Sequence, residues 1–488
     1  MGIWEADRCF ILSGVILATC VGMFLFTRIL IPDAALTLAI TVVLWAYLRL
    51  TSGRERHAWL WVGLLYSSLA GAVLLKGLIG VIFPAGIITI HLLCCERGAL
   101  LNRVQQLRPL SGGLLFLLIA APWHVLATLR NPPYFAWTLV SHAGNYHGFF
   151  WFYFLNEHLL RFLNLRYPRD YNTVPRIWFW LLHAVWFFPW SAALLMIFRL
   201  SYWRGSRTGR IRWLLAIWSL FVLAFFTFST TQEYYSLPIY PAVSMLIANA
   251  LAERDDTLRT SRILLVGVFS VGLGCGLWIL TMTAKMPTPG DISSALAQHP
   301  DLYTLSLGHM GDLTIRSFAY LRGPLVLACL AMALGIRCLL AARSVRIVAT
   351  VVCLTMLIFL QGARLALVAF DPYLGSKPLA DALTREPPGL LVAADAYYAF
   401  SSVFFYTNRQ ALLWNGRVNN LEYGSNAPGA PKVFIGDATL KELWLSSPRV
   451  YLLARGDDMP NIEKLLRHRL VIVAQSGGNY LLTNDSDR

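Results

Sequence analysis

Long apolar stretches recur along this 488-residue chain, separated by short clusters of arginine. Phe10–Thr27, Trp59–Leu75, Gly77–Cys95, Leu214–Thr231 and Ile263–Ala284 contain no Asp, Glu, Lys or Arg. Each is about as long as a helix must be to cross a hydrocarbon core of about 30 Å. Further runs at 34–50, 111–129, 177–198, 233–252, 319–341 and 346–366 bring the expectation to about eleven transmembrane helices. The first run has the apolar character of a secretory signal, but so many spans follow that it reads as a true helix.

After position 366 the pattern changes. GLLVAAD, KVFIGD, RVYLLAR and RLVIVAQSGGNYLLTN are short β-type runs, separated by helical or turn segments such as 461–469 and by Pro387, Pro388, Pro428 and Pro431. The chain therefore divides into a transmembrane portion, 1–366, and a small α/β domain, 367–488. Residues 130–176, between the fifth and sixth spans, form a long aromatic-rich loop suited to the membrane interface.

Composition agrees: 57% of residues are hydrophobic and only 14% charged, against roughly 25% charged in soluble domains. The net charge of +15 carries different information from its size. Arg49, Arg54 and Arg56 follow the second span; Arg97, Arg103 and Arg108 the fourth. Arg199, Arg204, Arg207, Arg210 and Arg212 follow the sixth, Arg254, Arg259 and Arg262 the eighth, and Arg337, Arg343 and Arg346 the tenth. Every even-numbered gap is basic, as cytoplasmic loops of a multi-pass inner-membrane protein are. The charge is a topology signal, which argues against a nucleic-acid partner and places the odd gaps and the C-terminal domain outside the cytoplasm. None of the eight cysteines follows Cys353, so the tail has no disulfide framework, and no zinc-type spacing appears.

On that topology the sparse external polar residues share one membrane depth. FTRILIPDAALTL puts Asp33 at a helix mouth with Arg28 before it; VLLKGLIGVIFP puts Lys76 beside Gly77; STTQEYYSLPIYP supplies Glu233, Tyr234 and Tyr235. FLNEHLLRFLN, in the long loop, places Glu157, His158 and Arg161 on one helical face. Arg161 offers a planar fork for a phosphate and Lys76 a second point charge. Chemistry on a phosphate-linked group also needs a carboxylate base. Each residue has a plainer reading: Arg161 paired with Glu157, His158 structural, Lys76 a helix-end lysine, Asp33 a helix N-cap, the tyrosines an interfacial belt. Their convergence on one face favours a functional site.

Asp33 within RILIPDAALTL, LLKGLIG at 74–80, APWHVLATLRNP at 121–132, NEHLLRFL at 156–163 and TTQEYYSLPIYPA at 230–242 together resemble a bacterial glycosyltransferase family. It is the group related to protein O-mannosyltransferases and the lipid A aminoarabinose transferase. The likeness covers roughly residues 10–250 and implies the C-type glycosyltransferase fold. It also implies transfer of a sugar from a polyprenyl-phosphate donor to a lipid, glycan or protein acceptor. In this reading Arg161 meets the carrier phosphate, Lys76 and Tyr235 line the donor cavity, and Asp33 stands near the acceptor. Glu157 and His158 organise the interfacial helix, with Glu233 and Tyr234 in support. No cofactor is fixed, although the resemblance admits a divalent metal beside Glu157 and His158. The family carries about two further helices at the start, with an external loop bearing the acidic base. Here Glu5 and Asp7 fall on the inner side and cannot replace it. This chain is accordingly expected to be an N-terminally truncated copy, with its main base upstream of Met1. Two other classes compete: a binding or scaffold protein without that base, and a lipid or sugar transporter. The transporter predicts internal repeats and mid-membrane polar residues, and neither is visible in the chain.

Overall fold

The computed structural model describes residues 3–53, 56–169, 174–229, 231–253, 258–297, 299, 306–342, 344–395, 397–466 and 470–485. Met1, Arg54, Arg254 and Arg343, and the side chains of Glu5, Asp7 and Arg259, lie outside that description. Among the described residues eight helices are long and apolar enough to cross a membrane, or up to ten if each of two bent pairs is one span. The shortfall against eleven comes from three runs, two of them broken and one a 17-residue helix that ends in a bend. Phe10–Thr27 divides between helices Ile3–Thr19 and Val21–Phe26, with Cys20 extended between them. Gly77–Cys95 yields the helix Ile79–Cys95, which turns by 104° into Arg97–Gln106. The run 177–198 becomes Arg176–Trp186 and Trp190–Arg199, bent by 105°. Pro189, at that bend, has no N–H to donate and disfavours helix at the residue before it.

Two of these breaks complete each other. Val21 N–H donates to Phe188 C=O at 3.0 Å, and Trp190 Nε1–H donates to Thr19 Oγ1 at 2.8 Å. Phe26 packs against Trp186 with ring centroids 5.1 Å apart. A broken helix in an apolar bundle is tolerated where neighbours satisfy the freed backbone groups. Hydropathy registers the apolar run and is blind to that exchange.

The basic gaps meet at one end of the bundle. Arg103 donates to Thr51 C=O at 2.6 Å and pairs with Glu96 at 3.2 Å, while Arg210 pairs with Glu96 at 3.0 Å. Arg212 is buried between Asn249 and Glu253, and Arg262 reaches Ala342 C=O. The helix Asp33–Thr51 packs against Ala58–Lys76, so Asp33 and Lys76 lie at the opposite end from this arginine cluster.

The last long helix, Val345–Leu374, runs through position 366. Beyond it lies a six-stranded sheet ordered β3-β2-β1-β4-β6-β5. The strands are β1 Leu390–Ala394, β2 Leu412–Trp414, β3 Phe434–Ile435, β4 Val450–Arg455, β5 Val471–Ser476 and β6 Asn479–Thr483. β1 to β4 pair in parallel, and β6 runs antiparallel to both β4 and β5. Gly477 and Gly478, both at positive φ, turn the β5–β6 hairpin. Alternate residues of one strand enter separate cores: Leu391 and Ala393 pack with Leu379 and Phe400, Val392 and Ala394 with Leu440 and Ile462. Burial on both faces is why these strands are unbroken apolar runs. The sequence pattern misses β2, although β2 sits beside β1 inside the sheet.

Candidate functional site

Lys76 ends the helix Ala58–Lys76, and Gly77 caps it at φ +81°. That left-handed conformation suits glycine, and a Cβ at Gly77 would also run into the His158 ring. The cap turns Leu78 N–H toward His158 Nε2, to which it donates at 2.8 Å. Nε2 thus accepts, which leaves Nδ1 as the protonated nitrogen facing Tyr153 C=O. Burial holds the pKa of His158 below the ordinary histidine value. His158 is a structural pin between the lysine turn and the helical segment Trp151–Leu160.

That segment has π-helical geometry over ten residues, a rare form that often marks functional sites. It carries Glu157 and leads into Arg161. Arg161 Nη1 donates to Glu157 Oε2 at 2.8 Å, and its Nη2 donates to Tyr235 Oη at 3.0 Å. Tyr235 belongs to the short helix Glu233–Ile239, and its ring lies 4.7 Å from Lys76 Nζ; the ring of Tyr234 lies 5.2 Å away. Lys76 in turn pairs with Asp33. Asp33 is buried, its Oδ2 has no hydrogen-bond partner among the described residues, and it does not act as an N-cap, the place taken by Pro32. Asp33, Lys76, Tyr235 and Arg161 therefore form one contiguous cluster drawn from four distant parts of the chain.

Lys76, Tyr235 and Arg161 border a cavity of about 580 Å³, while Asp33 lies behind Lys76 and does not line it. Lys76, Glu157, His158, Arg161, Tyr153 and Tyr235 supply polar groups to its wall, and the rest is mainly Val, Leu, Ile, Phe and Trp. Such a lining suits a ligand with an anionic head and a long apolar body. A second cavity, of about 650 Å³, opens where β1 and β2 end. Asp395, Asn415, Asp437, Lys441 and Asp458 make it polar, without the hydrocarbon walls of the first.

Not every residue named from sequence joins the cluster. Both oxygens of buried Glu233 accept from Ser306 N–H at 3.2 Å, and Glu233 does not line the cavity. Arg28 lies on its own helix, donating to Phe24 C=O at 2.7 Å. Among the described residues no group of three or more His, Cys, Asp or Glu is placed to hold a metal ion. The local chemistry agrees, since both His158 nitrogens and both Glu157 oxygens face protein partners. These residues do not fit a metal. Sequence reasoning overlooks Tyr153, whose hydroxyl donates to His124 Nε2 at 2.9 Å and whose pKa burial pushes up to about 12. It also overlooks Arg166, buried beneath Glu157. The Tyr153 signal lay in the aromatic run HGFFWFYF, which reads equally well as a membrane-interface belt.

No family model matches this sequence, and no curated protein matches it. Among solved structures, ArnT from Cupriavidus metallidurans bound to undecaprenyl phosphate superposes with a TM-score of 0.73 at 18% identity, covering 98% of this chain and 79% of that one. The chain has the fold of ArnT. The same protein in the apo state gives a TM-score of 0.72 at 18% identity, covering 99% and 80%. The resemblance to the aminoarabinose transferase group is thus borne out in the fold over nearly the whole chain, the C-terminal sheet included. Three-dimensional likeness to ArnT survives at an identity where sequence comparison returns nothing.

Proposed function

We propose that this protein is a membrane glycosyltransferase that moves a sugar from a polyprenyl-phosphate carrier to a lipid, glycan or protein acceptor. The observation that carries the reading is the joint cavity. A guanidinium and an ammonium, bridged by the Tyr235 ring and hydroxyl, sit on the rim of an otherwise hydrocarbon-walled pocket. The fold belongs to a protein solved with undecaprenyl phosphate, which supports the same class of ligand. Arg161 binds the carrier phosphate through its fork, and Lys76 adds charge on the other side of Tyr235. The anchoring groups of the donor are then held by residues pre-set in protein contacts, which is how positioning and electrostatics lower a barrier.

In the transfer, an acceptor oxygen bonds to the anomeric carbon while the bond from that carbon to the phosphate oxygen breaks. The electron pair leaves with the polyprenyl phosphate, whose charge Arg161 and Lys76 stabilise. The acceptor proton goes to a carboxylate. Asp33 takes the acceptor side as the carboxylate paired with Lys76, its Oδ2 having no hydrogen-bond partner among the described residues. The arginine-rich end faces the cytoplasm and the cavity end faces outward, as the basic loops require. A reporter fused after Arg488 is then exposed outside the cytoplasm, and a cytoplasmic signal would reverse the orientation.

The deciding experiment incubates the protein with radiolabelled polyprenyl-phosphate sugars and a membrane extract, then identifies the labelled product. Transfer that disappears in Asp33→Asn supports the reading. Tight binding of the carrier without any transfer would instead make the chain a binding protein.

A further inference from the structure

Residues 419–426 belong to the C-terminal sheet region by sequence position, yet they pack against the loop that carries Arg161. Tyr423 is buried in one apolar cluster with Trp151, Leu155 and Leu160. Its ring stacks on Phe152 at 4.7 Å and on Trp151 at 5.6 Å. Its hydroxyl donates to Gly148 C=O and accepts from His147 N–H, each at 3.0 Å, which secures the start of the helical segment bearing Glu157. Nearby, Tyr167 Oη–H donates to Glu422 at 2.6 Å. Buried Asn156 holds the Tyr167 backbone on both sides, accepting its N–H at 2.9 Å and donating to its C=O at 2.6 Å.

Arg166 joins these contacts to the phosphate arginine. Its Nε donates to Glu157 Oε1 at 2.8 Å, its Nη1 to Pro168 C=O at 2.5 Å, and its Nη2 to Asn420 Oδ1. Glu157 is thereby divided, one oxygen on Arg166 and the other on Arg161. The division matters because carboxylate and guanidinium prefer a two-point fork. With Oε1 occupied by Arg166, Arg161 makes one bond to Glu157 and extends its Nη2 to Tyr235 on the cavity wall. Were Arg166 absent, both oxygens would turn to Arg161 and draw the guanidinium back onto its own helix.

We infer that the segment 419–426, acting through Arg166 and Glu157, positions Arg161 for the lipid phosphate, so that the C-terminal region sets the affinity of a site it does not line. This inference rests on the phosphate role given to Arg161 above. Arg166 and Tyr423 are positioning residues; neither is among the residues that line the cavity.

The test measures binding of undecaprenyl phosphate to the whole chain in detergent, together with thermal stability. Arg166→Ala raises Kd about tenfold, the size of one net charge-assisted contact. Asn420→Ala, which removes only the far contact, gives a smaller shift in the same direction. In an Arg161→Ala background Arg166→Ala produces no further change, and adding Glu157→Gln to Arg166→Ala recovers part of the lost affinity. A purely structural Arg166 would instead weaken binding by the same factor in both backgrounds, which overturns the inference. Wild-type affinity in both Arg166→Ala and Asn420→Ala overturns it too, while leaving the phosphate role of Arg161 intact. If Arg161→Ala itself binds normally, the phosphate reading is the one that fails.

Discussion

The two ends of this helical bundle both hold cations paired with carboxylates, and they use the pairing differently. At the arginine-rich end, Arg103 and Arg210 share Glu96, and Arg212 is locked between Asn249 and Glu253. Those contacts tie one inter-helix gap to the next. At the opposite end, Lys76 has Asp33 and Arg161 has Glu157, yet both cations also border a hydrocarbon-walled cavity. An ion pair is therefore not the mark of a structural residue, nor its absence the mark of a functional one. What separates the two ends is the apolar volume beside the charge.

Substitutions can break that contrast, beginning with the pair that carries most energy. Lys76→Ala leaves the buried Asp33 carboxylate without its cation, and losing one partner of a buried pair costs about 3–5 kcal/mol. Chemical unfolding in detergent should register that loss, and Lys76→Met combined with Asp33→Asn should recover much of it. Arg161→Ala comes next. It should weaken undecaprenyl phosphate binding by about 10- to 100-fold, the equivalent of about 1.5–3 kcal/mol for a charged hydrogen bond. Arg210→Ala at the other end should leave that Kd unchanged, and equal effects from the two would erase the contrast between the ends.

Gly77→Ala should be milder, at about 1–2 kcal/mol of stability, since the new Cβ meets both an unfavourable positive φ and the His158 ring. The smallest effect concerns pH. Burial keeps the folded pKa of His158 below its ordinary 6.5, so on acidification the unfolded chain takes up a proton that the folded one refuses. This contribution to stability is present above pH 6.5 and is lost as pH falls below that value, by at most about 1.4 kcal/mol per pH unit. A His158→Gln variant, which lacks this titration, should show a shallower acid slope in melts across that window. An unchanged slope would argue against the neutral pin.

Much of this molecule is legible in the order of its residues. Apolar run lengths locate the spans because the hydrocarbon core imposes a length, and the sites where spans break escape notice because apolar side chains flank them as well. The β-type runs reveal the α/β region for a similar reason: strands buried on both faces are continuously apolar. Asp33, Lys76 and Arg161 stand out because charged groups are scarce in such a chain, and Tyr235 because it adjoins Glu233 in TTQEYYSLPIYPA. Glu233 stands out on the same ground, yet it turns to the Ser306 backbone. Rarity shows that a polar residue needs a partner and does not say which one.

The linear chain by itself determined the bundle, its polarity of charge and the short roster of polar residues at one end, because solvent preference acts locally along a sequence. The tertiary structure alone decided that Lys76 and Arg161 meet the same tyrosine, that His158 is a pin, and that Asn420 and Tyr423 of the C-terminal region reach the loop that carries Glu157, Arg161 and Arg166. Those outcomes depend on hydrogen-bond geometry between segments 40 to 280 positions apart, and a directional bond of that range leaves no periodic trace in the order of residues.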